Sequence, residues 1–185
     1  MANYSHLAKA GRFLAAIFIG GSFVFWVWAF TPWARYENPA RLDDHAFAVW
    51  ANELCIQTHS VINALPSPRQ ADSFKQRATH ISQGSNEIDS LITNLRAKAN
   101  NLSTTTSGDG PADVELINSW LSDWDVYLSD RRAHEAKLRT ADSNTPDREL
   151  WFLMSDIMPG GVYSERMNGF ARLNNMDACQ TPGDL

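Results

Sequence analysis

The longest apolar stretch of the 185-residue chain is FLAAIFIGGSFVFWVWAFTPW, which occupies residues 13–33 and carries no charge. A helix of that length reaches roughly 31 Å at about 1.5 Å per residue, which matches a hydrocarbon core of about 30 Å. Trp26, Trp28 and Trp33 lie toward its C-terminal end, as is typical of side chains at the headgroup level. The pattern predicts one transmembrane helix over 13–33.

Beyond a polar connector at 34–41, the apolar residues recur at spacings of three and four, which is the period of a helix. No alternating strand pattern interrupts them. We expect the ordered part to end near Cys179 and Pro182. Helices are predicted at 42–64, from about Pro68 to about residue 100, at 113–140 and at 162–177. The fold class is therefore all-α, with the transmembrane helix followed by an antiparallel bundle of about four helices over 42–185.

Several polar and small residues bear on how that bundle is built. Asp43 and Asp44 suit the start of the first bundle helix, where carboxylates meet the positive end of the helix dipole. Asp113 is expected to cap the third bundle helix. Arg131 continues an apolar series, so we expect it either to pair with an inward acid across the bundle or to extend its charge to solvent. Gly84 and Ser85 interrupt the second helix and mark either a close helix approach or a kink.

The charges that flank the apolar stretch predict its orientation. Lys9 and Arg12 precede it without a nearby acid, whereas a mixed set of charges follows it. This bias predicts residues 1–12 in the cytoplasm and the bundle outside the cell membrane. The alternative is a cleaved signal peptide. The apolar stretch exceeds the 7–15 residues of a signal core and no A-x-A pattern follows it, which favours a retained anchor.

Both cysteines, Cys55 and Cys179, come after the predicted span. An even number of cysteines in an oxidising compartment favours a disulfide, and the alternative is two separate buried thiols. Closing a loop of roughly 120 residues would stabilise the fold by about 4–5 kcal/mol in the chain-entropy model. No C-x-x-C motif or nearby pattern of histidines accompanies the two isolated cysteines, so no metal site is expected.

Two segments, WLSDWDVYLSDRRAHEAKLR at 120–139 and FARLNNMDAC at 170–179, carry a family resemblance. They resemble an uncharacterised group of actinobacterial membrane-anchored or secreted helical domains, in which a W-L-x-D-W…D-R-R helix precedes an F-A…N-x-M-x-x-C segment. Cys55, followed after some ten residues by Leu65 and Pro66, also matches the position of a cysteine in that group. The resemblance covers most of 42–185. It implies the helical fold, the topology and the cysteine pair, and it implies no activity.

The sequence offers little that would support catalysis or nucleic-acid binding. The net charge of −5 argues against nucleic acid. The chain has no P-loop, G-x-S-x-G, H-E-x-x-H or E-x-x-H motif, so we expect neither an enzyme nor a cofactor. A group of four charged residues is interpreted either as an active-site cluster or, preferably, as a salt network. Its members are Asp123, Asp130, Arg131 and Arg132.

The function that these observations favour is that of an accessory or structural subunit of a larger membrane or envelope assembly, in contact with the lipid bilayer and with other membrane proteins. The small residues Gly20 and Gly21, with Phe25, are the expected contact with a partner helix. The alternative is an extracytoplasmic ligand-binding or sensing domain. It predicts a pocket lined by Trp120, Trp124 and Trp151, although tryptophans at helical spacing are more often core residues.

Overall fold

The computed structural model describes residues 3–30, 38–102, 112–155 and 162–185, with side chains described from residue 14 onward. These residues form five α-helices and three short 3-10 helices, and they contain no strand. The all-α class is therefore confirmed. The chain divides into two compact units, Met1–Asn38 and Pro39–Leu185.

The first unit contains α1, Asn3–Ala29. Its described apolar side chains are mostly exposed, with Phe18 at 79% and Phe23 at 73%. None of the helices, over the described residues, combines the length and the hydropathy that a membrane span requires. The predicted transmembrane helix is thus not shown, and residues 31–33 of the predicted stretch lie outside the described residues.

The second unit is a helical bundle, as predicted. Its helices are α2, His45–Ala64, α3, Phe74–Ala99, α4, Asp113–Thr140, and α5, Tyr163–Leu173. Helices α3 and α4 are antiparallel, because Arg96 on α3 pairs with Asp125 early in α4, whereas Asp89 pairs with Arg132 further along. The core contains large buried side chains from every helix of the unit. They include Phe47, Ile62, Ile88, Leu95, Leu121, Trp124, Tyr163 and Met167.

Three predicted helix boundaries are wrong. The first bundle helix begins at His45 rather than at 42, because Asp44 caps it. The second bundle helix does not begin at Pro68, because Pro68–Gln70 forms a separate 3-10 turn and Ser73 is extended. The Ser73 hydroxyl accepts a hydrogen bond from the main-chain N–H of Gln76 at 3.2 Å, which starts α3 at Phe74. The last helix ends at Leu173 rather than at 177, because Asn175 adopts a left-handed φ of 56° that terminates it.

Asp113 does not cap its own helix. It occupies the first position of α4, after the extended Ala112. Its carboxylate accepts hydrogen bonds from the main-chain N–H groups of Asp43 at 3.0 Å and Asp44 at 2.7 Å. Asp44 in turn caps α2 by accepting from the N–H of Phe47 at 2.9 Å. Asp113 therefore ties the start of α4 to the start of α2.

The predicted disulfide is confirmed. Cys55 of α2 is bonded to Cys179 in the 3-10 turn Asp177–Cys179, with a Cα–Cα distance of 5.2 Å. The main-chain N–H of Ala178 also donates to the side-chain oxygen of Asn52 at 3.0 Å. Together these contacts fix the segment after α5 against α2. The packed region also continues to Leu185, so the prediction that order ends near Pro182 is wrong.

Candidate functional site

A buried ion pair links the middle of α4 to the segment 180–185. The side chain of Arg131 is fully buried, and that of Asp184 is only 13% exposed. Nη1 of Arg131 donates to Oδ1 of Asp184 at 2.7 Å, and Nη2 donates to Oδ2 at 2.7 Å. This two-bond arrangement matches the planar guanidinium to the planar carboxylate. Arg131 thus pairs with an inward acid, which was one of the two sequence-based expectations.

Two hydroxyl groups complete the surroundings of Arg131. Its Nε donates to the hydroxyl of Ser85 at 3.1 Å, and that hydroxyl donates to the main-chain oxygen of Ile81 at 2.8 Å. Its Nη1 also donates to the hydroxyl of Tyr127 at 3.1 Å. Burial alone would lower the pKa of Arg131, but its hydrogen bond to Asp184 and the neighbouring charges outweigh burial and raise it. The guanidinium therefore keeps its charge inside the bundle.

Gly84 makes this arrangement possible. A Cβ at position 84 would lie 3.0 Å from Nη2 of Arg131 and 3.3 Å from Oδ2 of Asp184. Of the two sequence-based interpretations of Gly84 and Ser85, the close approach is the one that the structure supports. We call the group formed by Gly84, Ser85, Tyr127 and Arg131 the Arg131 socket.

A cavity of about 140 Å³ adjoins the Arg131 socket. Asp184 and Gly84 form one side of it, and the chain around Pro66 forms another. Nδ1 of His80, which also lines the cavity, lies 3.2 Å from the main-chain oxygen of Ser67. Burial lowers the pKa of nearby His59, and the charge of Asp184 partly opposes that shift. The cavity is therefore small, partly apolar and bordered by a buried carboxylate.

A second polar centre surrounds Asp130, one position before Arg131. Its carboxylate accepts from the hydroxyl of Tyr163 at 2.7 Å and from the main-chain N–H of Ser155 at 2.7 Å. Burial and then the bond to Asp130 raise the pKa of Tyr163 far above its ordinary value of 10.0. The tyrosine therefore stays protonated and fastens α5 to α4, while Ser155 fastens the 151–155 segment to the same carboxylate.

His134, one turn after Asp130 on α4, is a further buried titratable group. It is 3% exposed, and neither ring nitrogen has a hydrogen-bond partner among the described residues. Its ring packs edge-on against Phe152 at a centroid distance of 5.7 Å. Burial, with the charges of Arg77, Lys137 and Arg131, lowers its pKa to about 4. His134 is thus a neutral packing residue at pH 7.

The four charged residues grouped in the sequence do not converge on one centre. Asp123 accepts from Arg166 of α5 at 2.7 Å, and Arg132 donates to Asp89 of α3 at 2.6 Å. Asp130 and Arg131 have the separate partners described above. The four residues therefore make separate contacts along α4 and do not form one cluster.

The three tryptophans proposed for a ligand pocket lie in different environments. Trp120 and Trp124 are buried and meet edge-on, with ring centroids 6.4 Å apart. Trp120 also donates from Nε1 to the main-chain oxygen of Met167 at 3.1 Å. Trp151, in contrast, is 63% exposed. The first two are core side chains, and only Trp151 is available to a partner.

In α1, the residues expected to contact a partner helix are exposed. Nothing described lies within 4 Å of a Cβ built on Gly20 or Gly21. Phe25 is 58% exposed, and its ring contacts those of Trp26 and Trp28. The surface is free for a contact of the predicted kind, and that contact stays a prediction.

Over the described residues, no group of three His, Cys, Asp or Glu side chains is arranged to hold a metal ion. The chain matches no protein-family model, no curated protein and no solved structure. The actinobacterial resemblance therefore stays a prediction.

Sequence reasoning missed the residues that complete the centre at Arg131. Asp184 follows a glycine in a short polar stretch, where no periodicity indicates an inward side chain. The helical spacing places Tyr127 and Ser85 on helices and indicates no polar role for either. The one useful signal was the arginine in an apolar series, which predicts a buried partner without saying which of the acids it is.

Proposed function

We propose that this chain is a non-enzymatic, single-pass membrane protein whose helical bundle lies on the extracytoplasmic side and acts as an accessory or structural subunit of a larger assembly. The observation that carries the proposal is the Cys55–Cys179 disulfide. Disulfides persist in oxidising compartments and are rare in the cytosol. A bundle held together in this way suits a domain that is exported before it functions.

The proposed anchor rests on the sequence of residues 13–33, which is uncharged over 21 positions and follows Lys9 and Arg12. The described part of α1 supports it in one respect, because apolar side chains such as Phe18 and Phe23 have no cover within their own unit. An exposed apolar surface of this kind needs lipid or another protein around it. In the proposed topology the bilayer covers it, and the basic residues stay in the cytoplasm.

The subunit role rests on a second apolar surface, in the bundle. Trp151 and Leu153 are each 63% exposed, and Met154 is 43% exposed. We call these three residues the apolar edge. Asp130 holds its neighbour Ser155 against α4, so the backbone that presents the apolar edge is anchored. Aromatic residues and methionine are enriched in protein interfaces, which makes this edge the preferred contact with a partner subunit.

The alternative, a sensing domain with a pocket of three tryptophans, has less support. Trp120 and Trp124 are packed in the core, and Trp151 lies on the surface. No described feature brings the three indole rings around one space. We therefore retain the subunit role as the proposed function.

Purification in a mild detergent tests the role directly. We expect the full chain to elute with at least one membrane protein in a stoichiometric ratio. The variant W151S/L153S should lose that partner, whereas the matched variant V49S/I56S, which changes exposed apolar residues of α2, should keep it. Thermal unfolding of both variants checks that each is folded. A chain that elutes alone would contradict the subunit role.

A further inference from the structure

We propose that the Arg131 socket is a binding site for small carboxylates, which Asp184 occupies as an internal and exchangeable ligand. The site is separate from the tryptophans discussed above. The proposal does not depend on the membrane anchor or on a partner subunit. It rests on how the socket is built, on where its present occupant comes from and on the space beside it.

The socket is formed without the segment that fills it. Gly84 and Ser85 belong to α3, and Tyr127 and Arg131 belong to α4. Ser85 and Tyr127 each accept one hydrogen bond from the guanidinium, which fixes its plane. The two remaining bonds, both of 2.7 Å, go to the two oxygens of one carboxylate. A fixed planar donor pair of this kind favours a carboxylate over a spherical anion such as chloride.

The occupant comes from a segment that is held mainly at its base. Residues 180–185 have no regular secondary structure, and the disulfide at Cys179 ties their start to α2. Thr181 also exchanges two hydrogen bonds with Asn168 of α5, at 2.9 and 3.2 Å. The contacts beyond Thr181 include a long hydrogen bond of 3.4 Å from the Tyr127 hydroxyl to the main-chain oxygen of Pro182. Arg69 donates to the main-chain oxygens of Gly183 and Leu185 from an exposed position, and Leu185 packs beside the small cluster of Ala78, Ile81 and Leu138. Residues 182–185 can therefore move away from the Arg131 socket while Thr181, the helices α2–α5 and the disulfide stay in place.

The adjoining cavity offers an external ligand a space that the Asp184 side chain does not fill. Its volume of about 140 Å³ is close to the roughly 150 Å³ of an engineered cavity that holds benzene. Polar and apolar groups line it in about equal measure. The lining includes Ile62, Leu65, Pro66, Pro68, Asn63 and His80. A carboxylate with a short apolar body would pair with Arg131 and bury that body in the cavity.

This geometry predicts a dependence on chain length. Each added methylene that enters the cavity should tighten binding about fourfold, because burying one methylene is favourable by about 0.8 kcal/mol. The series acetate, propionate and butyrate tests this directly. Chloride at equal ionic strength and 1-butanol are the matched controls, because the first lacks the planar oxygen pair and the second lacks the charge.

The experiment uses the full chain in a detergent with an uncharged headgroup. Calorimetric titration measures binding, and the Nε–H resonance of Arg131 in a nitrogen-15 spectrum reports whether the ligand reaches the guanidinium. For the wild-type chain we expect millimolar affinity, a fourfold gain per methylene and no response to either control. The variant D184A should bind each acid about tenfold or more tightly, because its tethered competitor is gone.

Further variants identify where the acids bind. D184A/R131M should bind none of the acids, and D89A, which removes a carboxylate from the exposed Arg132, should behave like the wild type. Binding by D184A but not by the wild-type chain would show that Asp184 is a permanent structural partner and would overturn the proposal. Absence of binding in both, or binding without dependence on chain length, would also overturn it. If D184A does not fold, the titration of the wild-type chain decides alone.

Discussion

Asp184 supplies the carboxylate that neutralises the fully buried guanidinium of Arg131, although the two residues are 53 positions apart in the sequence. One partner sits in the middle of the longest helix of the bundle, and the other sits in an irregular segment beyond the disulfide. A buried charge without its partner is strongly unfavourable. The contact therefore couples the position of the last residues to the packing of α3 against α4.

Removal of the carboxylate should destabilise the bundle strongly. We expect D184A to lower the free energy of unfolding by about 3–5 kcal/mol, because Arg131 stays buried without a counter-charge. The control is D89A, which breaks the pair with Arg132, whose two side chains are each about half exposed. It should cost at most about 1 kcal/mol. Chemical denaturation followed by tryptophan fluorescence measures both, and equal losses would contradict a special role for the buried pair.

Two helical glycines should respond in opposite directions to the same change. Gly169 in α5 has nothing within 4 Å of a built Cβ, so G169A should stabilise the fold by about 0.5–1 kcal/mol through the lower backbone entropy of the unfolded chain. At Gly84 the added methyl would press on the Arg131–Asp184 pair, so G84A should destabilise the fold by about 1 kcal/mol or more. The same denaturation experiment compares them. A stabilising G84A would show that the pair can move aside.

The stability of the bundle should fall between pH 6.5 and 4. The pKa of His134 is about 4 in the folded chain and 6.5 in the unfolded chain, so protonation favours unfolding. The contribution of the neutral ring is complete above pH 6.5 and is lost as the pH falls through 4, amounting to about 2–3 kcal/mol.

Substitution of His134 isolates its contribution to the pH dependence of stability. H134L keeps an apolar side chain against Phe152 and should remove this part of the pH dependence, whereas H45L, at an exposed histidine, should leave it unchanged. Melting temperatures at several pH values measure the difference. An unchanged slope in H134L would contradict the assignment.

The disulfide should contribute a comparable amount to the free energy of unfolding. Removing both thiols in C55A/C179A should cost about 2–5 kcal/mol, because the bond restricts the unfolded chain over a separation of 124 residues. A reductant should lower the stability of the wild-type chain by a similar amount and leave the double variant unaffected. Sensitivity of the double variant to the reductant would point to another cause.

The helices and the cysteine pair could be predicted because both depend on local or simple signals. Apolar spacing predicts α2–α5, and two cysteines allow only one internal pairing. Two of the wrong boundaries, at Pro68 and beyond Leu173, depended on a single extended residue and on one left-handed residue, Asn175. Such backbone choices are set by neighbouring packing, which apolar periodicity does not encode.

The polar contacts were harder to predict because each one crosses the bundle. Asp113 has the composition of a helix start, yet its carboxylate is used by Asp43 and Asp44 of another element. Arg131 in an apolar series indicated a buried partner, but the chain holds 21 acidic residues, and nothing local distinguishes Asp184 among them. The side-chain pairing is decided by the tertiary arrangement of α3, α4 and the segment after Cys179.

The central claim, an exported bundle with an oxidised cysteine pair on a retained anchor, is tested most directly by one intact-mass measurement. The chain is isolated from the membranes of its native host, denatured without a reductant and treated with an alkylating reagent. The account predicts a chain that retains residues 13–33 and weighs two hydrogens less than its reduced form, with no alkyl group added. Two added alkyl groups, or a chain that has lost residues 13–33, would contradict it.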